Sequence, residues 1–404
     1  MVLVAAALIL QGVAPANAGV RLEGLPAWLS GSASRGMEAV WREIDPRQEE
    51  AARLAIVRVV AIRLFEGYEV DRIGIDGQDL VLTLKAKSRT EWGVEASLPS
   101  LPAPLDGWLE GDWERARGAL QQRIQGIPLE ALAWADSALR REVAGILAAE
   151  LPGWQGSLTV RVEQGRTILK IGLVPEQPLV LAVNPRSTST SLPSLIHSEV
   201  KDDLMAGLSP LVGLPVAWVA RHEKQVAQWA SEQLKDESFV EKLKVDIGVV
   251  LRPQPVTDVS VRLESRRYTI WAWAAGYAGT SDRFPEAGVH LGRKAQPFPR
   301  WEIELYGEAL VFLNDWNLET RAGFRWSPWD RVWVGVERTW PEEEIWWRVW
   351  LEGPVRSPYA WFRGSDGGEL NFGLGYRLNE NLSIELHYDS RDENSSSVRL
   401  VGNL

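Results

Sequence analysis

The chain has 404 residues, 24% charged and 45% hydrophobic, and its 44 Lys and Arg against 54 Asp and Glu give a formal net charge of −10. That balance argues against a basic footprint for nucleic-acid phosphates, and the absence of Cys excludes disulfides and thiolate chemistry. The four His (His197, His222, His290, His387) are too scattered to read as a metal site, whereas tryptophan is an outlier, with 21 Trp against 7 Tyr and 8 Phe. Twelve of those Trp fall between Trp271 and Trp361.

In chain order, residues 1–18 read as a secretory signal, because the apolar run from Val2 to Leu10 is followed by small residues ending Ala16-Asn17-Ala18. The segment before that run has no Lys or Arg, and the plainer alternative is a buried hydrophobic N-terminal helix. No later stretch of about 18 apolar residues is free of charge, so a membrane crossing has to use strands.

Residues 19–265 read as a repeat. In the clearest copy, 89–176, a strand at 92–98 precedes helices at 105–125 and 128–151 and a hairpin of strands 157–162 and 166–173 turned at Gln164-Gly165. The copy at 177–265 has a strand at 179–183, helices at 192–211 and 215–235, then strands at 243–251 and 256–263. Gly126-Ile127-Pro128 and Gly213-Leu214-Pro215 recur 87 residues apart, each placing Pro in the first turn of a second helix. A degenerate earlier copy, 19–88, shows a helix at 47–65, strands at 69–75 and 80–87 joined at Asp76-Gly77, and an indistinct first strand at 20–23. Gly77 and Gly165 are 88 residues apart. The order strand-helix-helix-strand-strand at this period resembles the polypeptide-transport-associated (POTRA) fold; an unrelated series of small α+β domains is the alternative. The helical-region Trp (Trp28, Trp41, Trp108, Trp113, Trp134, Trp154, Trp218, Trp229) read as core residues.

Residues 266–404 change character. Segments 301–309, 318–326, 344–352, 370–378 and 382–389 alternate apolar with charged or small residues, a period of two, between turn clusters such as Asn314-Asp315 and Asp366-Gly367-Gly368. With further segments at 268–277, 288–293, 332–337, 359–363 and 398–404 these make about eight to ten strands. The expected fold is therefore α+β repeats followed by an all-β antiparallel membrane barrel. Aromatic residues near strand ends (Tyr268, Trp301, Trp316, Trp326, Trp329, Trp340, Tyr388) fit the headgroup level. The opposite face carries Glu302, Glu304, Glu308, Glu319, Glu337, Glu352, Glu385 and Asp389 against Arg321, Arg325, Arg348, Arg377 and Arg399, with His387 as a lumen-lining histidine. In a narrow barrel these charges must pair, and Glu302, Glu304 and Glu308 are expected to meet Arg321 and Arg325 on the next strand.

POTRA-like units ahead of a barrel resemble the outer-membrane assembly and secretion (bacterial surface antigen) superfamily. The resemblance implies a non-enzymatic outer-membrane protein with periplasmic N-terminal domains, outer-membrane lipid around the barrel, and unfolded or periplasmic protein clients bound by strand addition. It implies no cofactor. Two features depart from it: the segment is too short for the sixteen membrane-length strands common in that superfamily, and Asn403-Leu404 ends the chain where many such barrels have an aromatic residue. Two other readings compete: a secreted soluble protein whose C-terminal β-domain binds a lipid or glycan, and an outer-membrane hydrolase. For the latter the best assembly is His387, Asp389 and Ser390, of which Ser390 points to the opposite face of its strand.

Overall fold

The structure is a computed structural model that describes residues 19–404 apart from 78, 164–165, 281–282, 299–300, 315 and 394. The expected signal segment, Gln164-Gly165 and Asp315 lie outside the described residues. The chain forms two compact units that divide between Gln177 and Pro178.

The first unit contains two copies of one motif. β1 (Val20–Glu23), α1 (Ala27–Glu43), α2 (Glu50–Leu64), β2 (Tyr68–Asp76) and β3 (Asp79–Ala86) are followed by β4 (Trp92–Ser97), α3 (Leu105–Ile124), α4 (Leu132–Glu150), β5 (Trp154–Glu163) and β6 (Arg166–Pro175). The sheet orders are β1-β3-β2 and β4-β6-β5, so the last strand of each copy lies in the middle, parallel to the first and antiparallel to the second. Alternate residues Leu80, Leu82 and Leu84 of the central strand are buried, as a half-covered sheet requires.

The first copy has all five elements, including α1, which the repeat pattern did not reveal. Gly31, Gly36 and three Ser lower the helix propensity of that stretch. Its buried residues Leu29, Ala33, Met37 and Trp41 nevertheless recur every fourth position and bury one stripe.

The two copies meet at Trp134 on α4, which is an inter-copy contact as well as a packed ring. Trp134 lies edge-on to Phe65 and Tyr68 at centroid distances of 5.1 and 6.1 Å, and its indole N–H donates to the Glu66 carbonyl at 3.0 Å. Gly67 completes the joint: its φ is +89°, and a Cβ there would stand 2.9 Å from the Cβ of Pro128. The Pro that recurs in the sequence thus belongs to the contact between copies.

The second unit opens with β7 (Ala182–Thr188), α5 (Ser194–Gly207), α6 (Val216–Arg221), α7 (Glu223–Lys235), α8 (Ser238–Leu243), β8 (Val245–Arg252) and β9 (Val256–Ser265), in sheet order β7-β9-β8. The strand expected at 179–183 sits later, and Pro185 is accommodated because β7 is an edge strand. The helix expected over 215–235 is two helices, since His222 leaves helical dihedrals (φ −98°, ψ 15°).

Two residues after β9 the barrel begins. Its strands are β10 (Tyr268–Ala278), β11 (Glu286–Phe298), β12 (Trp301–Phe312), β13 (Leu318–Trp329), β14 (Val332–Trp340), β15 (Ile345–Leu351), β16 (Pro358–Ser365), β17 (Leu370–Arg377), β18 (Leu382–Asp389) and β19 (Ser396–Asn403). Each is antiparallel to the next and β19 closes on β10, giving a ten-stranded barrel. In α5, His197 Nδ1 lies 2.8 Å from Ser187 Oγ. Burial holds its imidazole below the usual histidine range, against the opposite pull of Glu380 and Glu264.

Two predictions follow from these contacts. Gly67→Ala is expected to cost about 2 kcal/mol in denaturant unfolding. Gly126→Ala, also at positive φ (+79°) but with nothing within 4 Å of the added Cβ, should cost distinctly less; equal losses would show that the joint is not packed. For His197, a depressed folded value means the unfolded chain binds the proton first. Its stabilising contribution is therefore complete above about pH 6.5 and is lost as pH falls toward the folded value. An NMR titration, with His197→Gln assigning the signal, should place its midpoint below about 6.5, the value of an unperturbed histidine.

Candidate functional site: the barrel lumen and its lipid-facing wall

Alternation along each strand splits the barrel into two environments. Outward residues are apolar and bare: Leu305 and Trp347 are each 63% exposed and Leu386 60%. Inward residues are charged and sealed, with Glu304, His290, Arg325, Arg363, Glu385 and Asp389 all buried. A wall with its oil outside and its charge inside is stable only with hydrocarbon around it. A soluble sandwich or lipocalin-like barrel would be built the other way round.

The strand directions sort the expected aromatic belt into two girdles. Tyr268, Trp301, Trp326 and Trp329 lie at the end where the chain enters from β9, and Trp316, Trp340 and Tyr388 at the far end. Trp301 and Trp326 pack edge-on at 5.0 Å, and Tyr388 stacks on Phe372 at 5.0 Å. Among the turns made wholly of described residues, 330–331, 352–357 and 378–381 lie at the entry end and 341–344 and 366–369 at the far end.

Inside, register sets electrostatics. Glu304 stands opposite Arg325, Glu308 opposite Arg321, and Glu385 opposite Arg399. Glu308 is the centre of the main network: it takes Arg321 and Arg348, each at 3.1 Å, and His290 Nδ1 at 3.1 Å. His290 Nε2 meets Glu304 at 2.9 Å, and Arg325 pairs with the same carboxylate. Glu337 accepts from the Tyr306 hydroxyl at 2.6 Å and pairs with Arg348 at 3.2 Å and Arg363 at 2.7 Å. Arg399 links Glu286 to Glu385, and near the far end Asp389 is held by Arg283, Arg391 and the Asn371 amide. Glu319 pairs with Arg321 at 2.6 Å.

Rings fill the remaining space. The Arg325 guanidinium lies 4.4 Å from the Trp333 centroid, Arg348 4.1 Å from Trp350, and Arg363 4.4 Å from Trp346. Trp271 stacks on His290 at 3.8 Å. Inward glycines make the room: a Cβ at Gly288 would strike the Trp273 ring, at Gly323 the Tyr306 ring, at Gly375 the Tyr359 ring and at Gly373 the Trp361 indole nitrogen.

Not every expected lumen charge is in the packed interior. Glu302 pairs with Lys294 at 3.1 Å, not with a β13 arginine, and Glu352 is exposed with its nearest guanidinium, Arg325, at 3.8 Å. Both, like half-buried Arg377, sit at strand ends on the rim where the chain enters from β9. They keep the inward parity but lie too near the mouth to be enclosed. Glu304, Glu308, Glu319, Arg321, Arg325, Arg348, Glu385 and Arg399 are enclosed. The sequence reading missed His290, Glu286, Tyr306, Arg363, Arg283 and Arg391; for His290 a signal existed, an inward Gly-x-His-x-Gly pattern at 288–292. The trio His387, Asp389 and Ser390 does not assemble. His387 lies between Tyr277 and Trp361 at 5.5 and 5.6 Å, Asp389 is engaged with arginines, and Ser390 Oγ accepts from Leu370 N at 2.8 Å. Among the described residues, no group of three or more His, Asp or Glu could hold a metal ion.

The wall and lumen define an outer-membrane β-barrel protein, one that carries POTRA-like strand-helix-helix-strand-strand units. No family model and no curated protein matches the chain. Among solved structures it is similar to the N-terminal domain of Omp85 from the cyanobacterium Thermosynechococcus elongatus, at 11% identity over 62% of this chain and 96% of that one with a TM-score of 0.21. It is also similar to BamA from Haemophilus ducreyi lacking POTRA domains 1–3 (10% identity, 76% and 72% covered, TM-score 0.17). A third likeness is to CdiB from Acinetobacter baumannii (12% identity, 75% and 53% covered, TM-score 0.17). The architecture is established by the strand pairing itself.

Glu304→Leu, which strands a buried guanidinium and an imidazole, is expected to lower stability in lipid vesicles by about 3 to 5 kcal/mol. The double variant Glu304→Leu/Arg325→Met should regain much of that loss. Urea titration of folded gel mobility checks both; additive losses would mean the pair is not coupled.

Proposed function

We propose that the protein is a non-enzymatic outer-membrane anchor that holds three POTRA-like units, at 19–88, 89–176 and 177–265, in the periplasm. There they take up extended segments of envelope proteins or partners, for assembly, secretion or tethering. The observation that carries this reading is the lumen, occupied by paired charges and rings: a cylinder filled in this way suits anchoring, and the work falls to the units outside it. The sheets support the binding half. With β3, β6 and β9 in the middle, β2, β5 and β8 are outer strands of nine, ten and eight residues. The free edge of such a strand presents backbone donors and acceptors to which an extended peptide adds as a further strand, gaining main-chain hydrogen bonds largely independent of its sequence.

A photo-crosslinker placed at Arg161 on β5 or Asp246 on β8 should capture unfolded envelope proteins, while the same probe at Lys170 on the central β6 should not. Equal yields at edge and centre would sink strand addition. Recovery of the chain in the soluble periplasmic fraction without detergent would sink the anchor.

A further inference from the structure

The helix α2 is apolar on both sides. One side packs inward through Val57 and Ala61. The other leaves Ile56 41%, Val59 53% and Ile62 48% exposed, with Ala52 and Ala55 exposed beside them. At 100° per residue these five side chains form one stripe, about 15 Å long. Such a stripe on a small α+β unit is costly in water unless something covers it.

Within the helix, the charges bordering the stripe are cationic, while exposed Glu66 lies just beyond its C-terminal end. Arg63 closes its C-terminal end and Arg58 runs along one side; both are exposed, and neither has a carboxylate partner among the described residues. The third arginine, Arg53, lies on the inner side over the Trp41 ring at 4.3 Å. The helix's one acid, Glu50, is at the opposite end. Arginine side chains can lay their stems along apolar surface while their guanidiniums reach phosphates. An exposed apolar helix face bordered by arginines can lie in the plane of an interface, and its attraction grows with anionic lipid.

We infer that the outer face of α2, through Ile56, Val59 and Ile62 with Arg58 and Arg63, docks onto an anionic lipid surface. The first POTRA-like unit thus has a membrane contact of its own, separate from the barrel. The chain has no Cys, so Val59→Cys can carry a single environment-sensitive fluorophore in the full-length protein. The protein is reconstituted into vesicles of phosphatidylcholine alone or mixed with phosphatidylglycerol, with brominated lipid as quencher. Expected are a blue shift and lipid quenching at Val59 in the phosphatidylglycerol vesicles, and neither at Asp71→Cys on β2. Arg58→Glu/Arg63→Glu should lower the lipid-bound fraction by about an order of magnitude while heat-modifiable mobility of the barrel stays unchanged. A Val59 probe that stays aqueous in both lipids overturns the inference, and so does quenching indifferent to the charge reversal. Shielding that persists in detergent micelles and rises with protein concentration also overturns it, by assigning the face to a second copy of the chain.

Discussion

Each buried guanidinium in the barrel needs a carboxylate within reach, and that need fixes which residues face each other across neighbouring strands. The outer wall cannot do this, because an apolar side chain in lipid gains almost the same whichever apolar neighbour it has. Slipping β13 by two residues along β12 would keep the oily face outward but would break both Glu304–Arg325 and Glu308–Arg321. Each broken pair would leave uncompensated charge in a low dielectric. The ion pairs therefore act mainly as a register key. Their worth lies less in net stability than in what their loss would cost.

The same charges bear on the anchoring role proposed for the barrel. Glu308 is shared by two arginines and a histidine, and Glu337 by two arginines and a tyrosine. Around them, Trp273, Tyr306, Tyr359 and Trp361 occupy the space that Gly288, Gly323, Gly375 and Gly373 leave open. Large residues on one strand thus fit small residues on the next, as in a packed core. Such an interior supports the reading of the cylinder as an anchor, with partner binding proposed for the sheet edges outside it.

Much of this was legible in the sequence, because lipid and lumen impose opposite polarity on alternate residues. Segments 301–309 and 382–389 declare their two faces, and the first of them the pairing of Glu304 and Glu308 with the arginines of the next strand. Depth was not legible. Glu302 and Glu304 share parity and charge, yet one pairs at the rim and the other is fully enclosed, a difference set by where β12 begins. Arg363 and His290 escaped because their strands carry glycine and aromatic residues where a plain pattern would show charge. The helix α1 escaped because tertiary burial of Leu29, Ala33, Met37 and Trp41 overrides a glycine- and serine-rich propensity.

Closing the barrel raises a last requirement. The seam pairs Trp273 with Asn403 through Ala278 with Val398, whereas β10 starts at Tyr268, so its first residues outrun β19. Their backbone groups would form an open edge. The third POTRA-like unit supplies part of the missing partner. Ile270 N donates to the Ser191 carbonyl at 2.8 Å, while Leu404 N donates to Ala272 O at 2.9 Å. Ser194, at the start of α5, donates through its backbone N–H to Leu404 O at 2.9 Å and through its hydroxyl to Asn403 O at 3.2 Å. One short loop of the α+β unit therefore bonds to both strands of the seam. The requirement that every backbone group at the membrane be satisfied joins this unit to the cylinder more firmly than the two-residue covalent link alone could.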